Sequence, residues 1–153
     1  MRIKRSLSYL VLGLILFISC NEKPGSRYIE INGKMQYVLD TGAGKPVAVF
    51  VAGLGDDHTT FSTVQPVIAK TTRTISYDRA GLGKSEKIDN ARTVDNMAFE
   101  LDEILQQYKI TDDFLLIGHS LGGLIIRQYV NHFPGRAEGI ILIEQSGWNC
   151  IKA

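Results

Sequence analysis

Residues 114–123 have the sequence FLLIGHSLGG, and this stretch decides the fold. The apolar run 114–117 suits a parallel β-strand that is covered on both faces, and the residues after Ser120 are apolar at helical spacing. A strand and a helix therefore meet at Ser120 with no room for an ordinary loop. A turn that sharp strains its central residue and brings other main chain close, so Gly118 and Gly122 are needed where a Cβ would collide.

The rest of the chain alternates strands and helices. Asn32 and Gly33 lie between two alternating apolar runs, which is the strongest short signal of a β-hairpin. After that hairpin, the alternation predicts an α/β fold with a mostly parallel sheet and flanking helices. The predicted strands are residues 28–31, 35–39, 47–52, 74–77, 114–117 and 139–143, and the predicted helices are 60–70, 93–108 and the one that follows Ser120.

Composition and charge narrow the class of protein. The chain has 153 residues, of which 44% are hydrophobic and 22% charged, so one globular domain is expected. A formal net charge of +1 offers no basic patch, which argues against a nucleic-acid partner. The two cysteines, Cys20 and Cys150, are too few for a disulfide scaffold.

The N-terminus has the pattern of a secretion signal. Residues 1–19 combine a basic start with an apolar stretch that is shorter than the roughly 20 residues needed to span a membrane. Ser19 and Cys20 end a segment that resembles a bacterial lipobox, although Phe17 stands where leucine is usual. We expect Cys20 to be lipid-modified, which would anchor a secreted protein to a bacterial membrane in the cell envelope; an ordinary cleaved signal or an uncleaved anchor are the alternatives. Residues 20–27 are then a tether, and residues 28–153 the domain.

The motif Gly-x-Ser-x-Gly, in its strand–turn–helix context, is a nucleophile elbow, and the chain here resembles the α/β-hydrolase family. After the third predicted strand, residues 53–57 (GLGDD) resemble the family's His-Gly-x-Gly oxyanion loop, with Ala52 in place of the histidine. The resemblance implies that Ser120 is the nucleophile and that the amides of Leu54 and Leu121 form the oxyanion hole. One such donor contributes about 2.7–4 kcal/mol to the stability of the transition state.

A phosphate-binding loop is the alternative from another class. Residues 77–85 (YDRAGLGKS) end in Gly83-Lys84-Ser85, like such a loop, but Asp78 stands where that loop needs a glycine, and its carboxylate would repel phosphate. The Gly53 segment also fails the dinucleotide pattern, because its third glycine would fall on His58. In the α/β-hydrolase resemblance, Asp78 and Arg79 instead brace the loops beside the elbow. No metal or organic cofactor is implied.

The resemblance also requires a histidine base and an acid, which in this family follow the serine. The only histidine after Ser120 is His132, in the last turn of the same helix, where about a dozen residues at roughly 1.5 Å each separate the two. His119 adjoins Ser120 and His58 follows the oxyanion loop, and neither matches the family's base. Glu144 follows the last predicted strand, where some family members carry the acid, although an acidic residue there is more often structural.

The resemblance covers residues 28–148 and includes six of the family's eight core strands. We therefore expect the N-terminal portion of an α/β hydrolase, truncated and inactive alone, whose substrate is a small ester or amide. A non-catalytic binding module with a hydrolase-like fold, or a half-enzyme completed by a partner chain, are the alternatives. In either case, an unpaired strand at 139–143 would leave a surface liable to associate.

Overall fold

The computed structural model describes residues 25–143. The elements in this part of the chain are six strands, three α-helices and one 3₁₀ turn. The strands are β1 (Gly25–Ile31), β2 (Lys34–Thr41), β3 (Val47–Val51), β4 (Thr74–Tyr77), β5 (Phe114–His119) and β6 (Gly139–Ile143). The helices are α1 (Gln65–Ile68), α2 (Val94–Gln107) and α3 (Leu121–His132), and the 3₁₀ turn is His58–Phe61.

The six strands form one sheet in the order β1-β2-β4-β3-β5-β6. The β1/β2 and β2/β4 pairs are antiparallel, whereas β4, β3, β5 and β6 run parallel to one another. The predicted α/β class and mostly parallel sheet are therefore confirmed. Between β1 and β2, Asn32 and Gly33 have φ values of 52° and 73°, as a two-residue hairpin turn requires.

Two boundaries differ from the sequence prediction. β1 begins at Gly25, which pairs with Asp40, so residues 25–27 belong to the sheet and not to the tether. The single helix predicted over residues 60–70 is wrong: a 3₁₀ turn and the one-turn helix α1 lie there instead. Pro66 sits in the first turn of α1, where its missing N–H is tolerated, and it cannot donate the hydrogen bond that a continuous helix from residue 60 would need.

The hydrophobic core lies on both faces of the sheet. The larger part joins the strands to the buried sides of α2 and α3, and it includes Leu101, Ile125 and Tyr129 with no exposed surface. The smaller part lies between the sheet and the 3₁₀ turn, where Phe50 and Phe61 stack with ring centroids 4.8 Å apart. Because both faces of the sheet are packed, the end of β5, where α3 begins, has a fixed position.

The edge strand β6 is the least covered part of the described sheet. Its four apolar residues, 140–143, are each between 39% and 48% exposed, on both faces of the strand. None of the helices in residues 25–143 is long and apolar enough to cross a bilayer. The predicted signal segment, Cys20 and Glu144 lie outside the described residues.

Candidate active site

Ser120 lies alone between β5 and α3, in a backbone conformation that non-glycine residues rarely adopt. Its φ is 49° and its ψ is −116°. The backbone is tied on both sides: the Ser120 amide donates to the Ile143 carbonyl at 3.0 Å, and its carbonyl accepts from the Gly123 amide at 2.9 Å. The hydroxyl does not cap the helix, and it has no hydrogen-bond partner among residues 25–143. The strained turn therefore presents a serine oxygen that residues 25–143 do not otherwise use.

The two glycines that flank the turn permit a very close approach of main chain. A Cβ at Gly122 would lie 2.0 Å from the carbonyl oxygen of Val51, and a Cβ at Gly118 would lie 2.6 Å from the backbone of Gly122. Neither neighbour is a side chain that can move aside. The close approach of main chain that the sequence predicts is therefore present, and it joins the start of α3 to the end of β3.

That loop lies against the residue before the serine. A Cβ at Gly53 would lie 2.9 Å from Nδ1 of His119, and the same ring nitrogen is 3.5 Å from Oδ2 of Asp56. The side chain of Leu54 is directed to solvent, since the residue is 80% exposed. The oxyanion loop predicted from the sequence is therefore adjacent to the turn.

The two amides predicted to bind the oxyanion have no acceptor within the described part of the chain. The Leu121 amide is at the first position of α3, where a backbone N–H has no partner inside the helix. The Leu54 amide belongs to the loop that follows β3. Both amides can therefore donate to a ligand, and the positive end of α3 favours a negative charge there.

Arg79 and Asp78 make hydrogen bonds to the loop that follows β3 and to the segments next to it. The buried guanidinium of Arg79 donates to the carbonyl oxygens of Ala52 and Gly53. Burial lowers the pKa of Arg79, but a guanidinium stays protonated in proteins. Asp78, which is fully buried, accepts from the amides of His58 at 2.8 Å and of Lys84 at 2.9 Å. These contacts confirm that Asp78 and Arg79 brace the loops beside the elbow.

The three histidines of the sequence are all described, and two of them are paired away from Ser120. His132 lies 2.7 Å from a carboxylate oxygen of Asp95, and its hydrogen bond is the main cause of the lowered pKa of Asp95. The Nδ1 atom of His58 lies 2.7 Å from Asp78. His119 lies against the Gly53 loop. That none of them is the base of Ser120 stays a prediction from the sequence.

Asp57, His58 and Asp78 have ligand atoms within 4.8 Å of one another, which is a spacing compatible with a metal ion. Their atoms are engaged in other contacts, however. Oδ1 of Asp57 accepts from the amide and the hydroxyl of Thr59, and Asp78 accepts from three N–H groups. These contacts therefore connect residues 57–59 to Asp78, and Asp78 to Lys84. Sequence reasoning missed the His58–Asp78 pair, because 20 residues separate the two and only the adjacency of β3 and β4 brings them together.

The comparison with protein families decides the identity. Residues 46–149 match the family described as the alpha/beta hydrolase fold. The chain belongs to this family. The matched residues include the strained serine turn and the loop after β3.

This chain matches only part of each of the known proteins that it resembles. An AB hydrolase superfamily protein from Gibberella zeae is 28% identical over 120 residues, which are 78% of this chain and 36% of that relative. Est816, an N-acyl homoserine lactone degrading enzyme, superposes with a TM-score of 0.73 at 23% identity, over 78% of this chain and 45% of its own. The epoxide hydrolase CorEH superposes with a TM-score of 0.74 at 21% identity, over 84% and 47% respectively. The chain therefore spans about a third to a half of the length of these proteins.

The close approach at Gly122 leads to a stability prediction. Replacing Gly122 with alanine forces the end of β3 and the start of α3 apart, so the free energy of unfolding should fall by about 3 kcal/mol or more. Gly25→Ala is the matched control: no atom lies within 4 Å of a Cβ there, and the change should stay within about 0.5 kcal/mol. Urea unfolding of the full chain measures both. Equal stabilities for the two variants would contradict the packing described at the elbow.

Proposed function

We propose that this chain supplies the nucleophile and the oxyanion-binding part of an acyl hydrolase for small esters or amides. The observation that carries the proposal is the Ser120 hydroxyl, which residues 25–143 leave unengaged in a strained turn. Two amides without acceptors in the same residues accompany it: that of Leu121, next in the chain, and that of Leu54, in the loop whose Gly53 packs against His119. A preorganised pair of N–H donors is the arrangement that stabilises a tetrahedral oxyanion. Membership of the alpha/beta hydrolase family supports the same assignment.

The proposed reaction begins with attack of the Ser120 oxygen on the substrate carbonyl. The serine proton passes to a base, the carbonyl oxygen becomes an oxyanion that accepts hydrogen bonds from the Leu54 and Leu121 amides, and the leaving group departs with a proton. Water then hydrolyses the acyl-enzyme and regenerates the hydroxyl. The chemistry needs no metal ion and no organic cofactor.

The base is the missing part of this scheme. His132 is occupied by Asp95 at the far end of α3, and His58 is occupied by Asp78. Glu144, the candidate acid, lies outside the described residues. We infer that a group outside these 153 residues accepts the proton, and that the chain alone has only the residual catalysis, on the order of 10³–10⁴ over water, that remains when a triad member is lost.

Two alternatives to the main proposal concern the missing base. The exposed apolar faces of β6, residues 140–143, could receive further strands from a partner chain that carries the base, which would make this chain a half-enzyme. A fold with a nucleophile but no base could also bind a ligand without converting it. In the main proposal and in the half-enzyme, an added base activates Ser120. In the binding module, Ser120 is not a nucleophile.

Chemical rescue tests the proposal. The full chain and its Ser120→Ala variant are assayed with p-nitrophenyl butyrate at increasing imidazole concentration, and the Ser120→Ala rate is subtracted at each point. We expect almost no Ser120-dependent rate without imidazole and a clear rise with it, because imidazole can replace the absent base. Melting curves of the two proteins serve as the folding control.

Two results would count against the proposal. A Ser120-dependent turnover of about 1 s⁻¹ or faster without imidazole would mean that the chain contains its own base. Equal rates for the two proteins at every imidazole concentration would mean that Ser120 is not a nucleophile, and would favour a binding module.

We also propose that Cys20 carries a lipid and anchors the protein in a bacterial envelope, since Ser19 and Cys20 end a signal-like segment. Expression in a bacterium fed a labelled fatty acid tests this directly. The full chain and the control Cys150→Ser should both incorporate the label, whereas Cys20→Ser should not. Incorporation into the Cys20→Ser variant, or into none of the three, would exclude the anchor.

A further inference from the structure

One cavity in the described part of the domain is separate from the Ser120 site. It has a volume of about 440 Å³, and lies between β2 and the segment that contains the 3₁₀ turn and α1. This volume falls within the range of roughly 300–1,000 Å³ that is typical of small-molecule sites. Neither Ser120 nor the oxyanion loop lines the cavity; its walls are mostly apolar and include Leu39, Thr41, His58, Pro66 and Ala69.

Most polar groups of the lining are satisfied by the protein itself. The buried amide of Gln65 donates to the carbonyl of Leu39 and to the Thr74 hydroxyl, and its oxygen accepts from Ser76 at 2.7 Å. The Thr41 hydroxyl lies 2.8 Å from that of Thr74. These groups shape the cavity but have little left to offer a ligand.

His58 is different, because one of its ring nitrogens is fixed and the other is not used. The Nδ1 atom is 2.7 Å from Oδ1 of the fully buried Asp78. That carboxylate also accepts from the backbone amides of His58 and Lys84, so it is an acceptor in all three contacts. When the imidazole is neutral, its hydrogen is therefore on Nδ1, and Nε2 carries a lone pair.

The environment of the His58 ring keeps it in this orientation. The ring packs against Tyr37, with centroids 4.7 Å apart, and the side chain is only 12% exposed. The Nε2 atom has no partner among the described residues, and it is not among their fully enclosed unpaired atoms. His58, which lines the cavity, thus has one ring nitrogen that the described residues leave unused.

We propose that this cavity binds a small, neutral, apolar molecule that carries one hydroxyl group, such as a phenol. The apolar body lies against Leu39, Pro66 and Ala69, and the hydroxyl donates a hydrogen bond to Nε2 of His58. An acceptor selects a donor on the ligand, since a molecule of the same shape without a hydroxyl leaves Nε2 unpaired. Selectivity for the hydroxyl, beyond simple partition into an apolar space, distinguishes a built site from a packing defect.

The test compares two probes that differ by one hydroxyl. Binding of 4-fluorophenol and of fluorobenzene to the full chain in detergent is followed by ¹⁹F NMR, with protein-free micelles as the blank. We expect 4-fluorophenol to bind about three- to tenfold more tightly than fluorobenzene, which corresponds to one net hydrogen bond.

Two variants locate the binding. His58→Asn can keep a side-chain N–H for Asp78 but lacks Nε2, so it should bind both probes with similar affinity. Ala69→Phe fills the cavity and should lose both, while a cooperative melt shows that each variant is folded. The proposal fails if neither probe binds the wild-type chain, if both bind equally, or if a folded Ala69→Phe variant binds as the wild type does.

Discussion

The contact between the end of β3 and the start of α3 is the constraint on which the rest of the structure depends. Main chain can approach so closely only because Gly118 and Gly122 lack side chains, since a Cβ at Gly122 would lie 2.0 Å from the oxygen of Val51. The approach forces Ser120 to φ 49°, which takes its hydroxyl out of the helix-capping role that serine usually has. The packing, the backbone strain and the release of the Ser120 hydroxyl from capping therefore have one common origin.

Buried charge supports this contact from the neighbouring strand. Arg79 follows β4 and donates to two carbonyl groups of the loop that leaves β3, while Asp78 gathers N–H groups from the segments at His58 and Lys84. A buried charge is costly unless its hydrogen bonds are made, and here every bond goes to a loop beside the elbow. The same Asp78 also contacts the His58 ring, which lines the cavity between β2 and α1.

Features encoded by neighbouring residues could be predicted from the sequence. The hairpin at Asn32 and the turn at Ser120 each depend on a few adjacent residues whose backbone demands are strong. The helix predicted over residues 60–70 was wrong, because apolar spacing alone does not register the hydrogen bond that Pro66 cannot make. The pairs His58–Asp78 and His132–Asp95 could not be predicted, since only the packing of β3 on β4 and of α2 on α3 brings them together.

The account depends most on Ser120 and the two amides acting on the same tetrahedral group. A crystal structure of the chain with phenylboronic acid tests this directly, because boron forms a tetrahedral adduct with a serine oxygen. The account predicts a bond from boron to Ser120, with a boronate oxygen about 2.7–3.1 Å from the amides of both Leu54 and Leu121. An adduct whose oxygens contact neither amide, or boron bound at another residue, would contradict it.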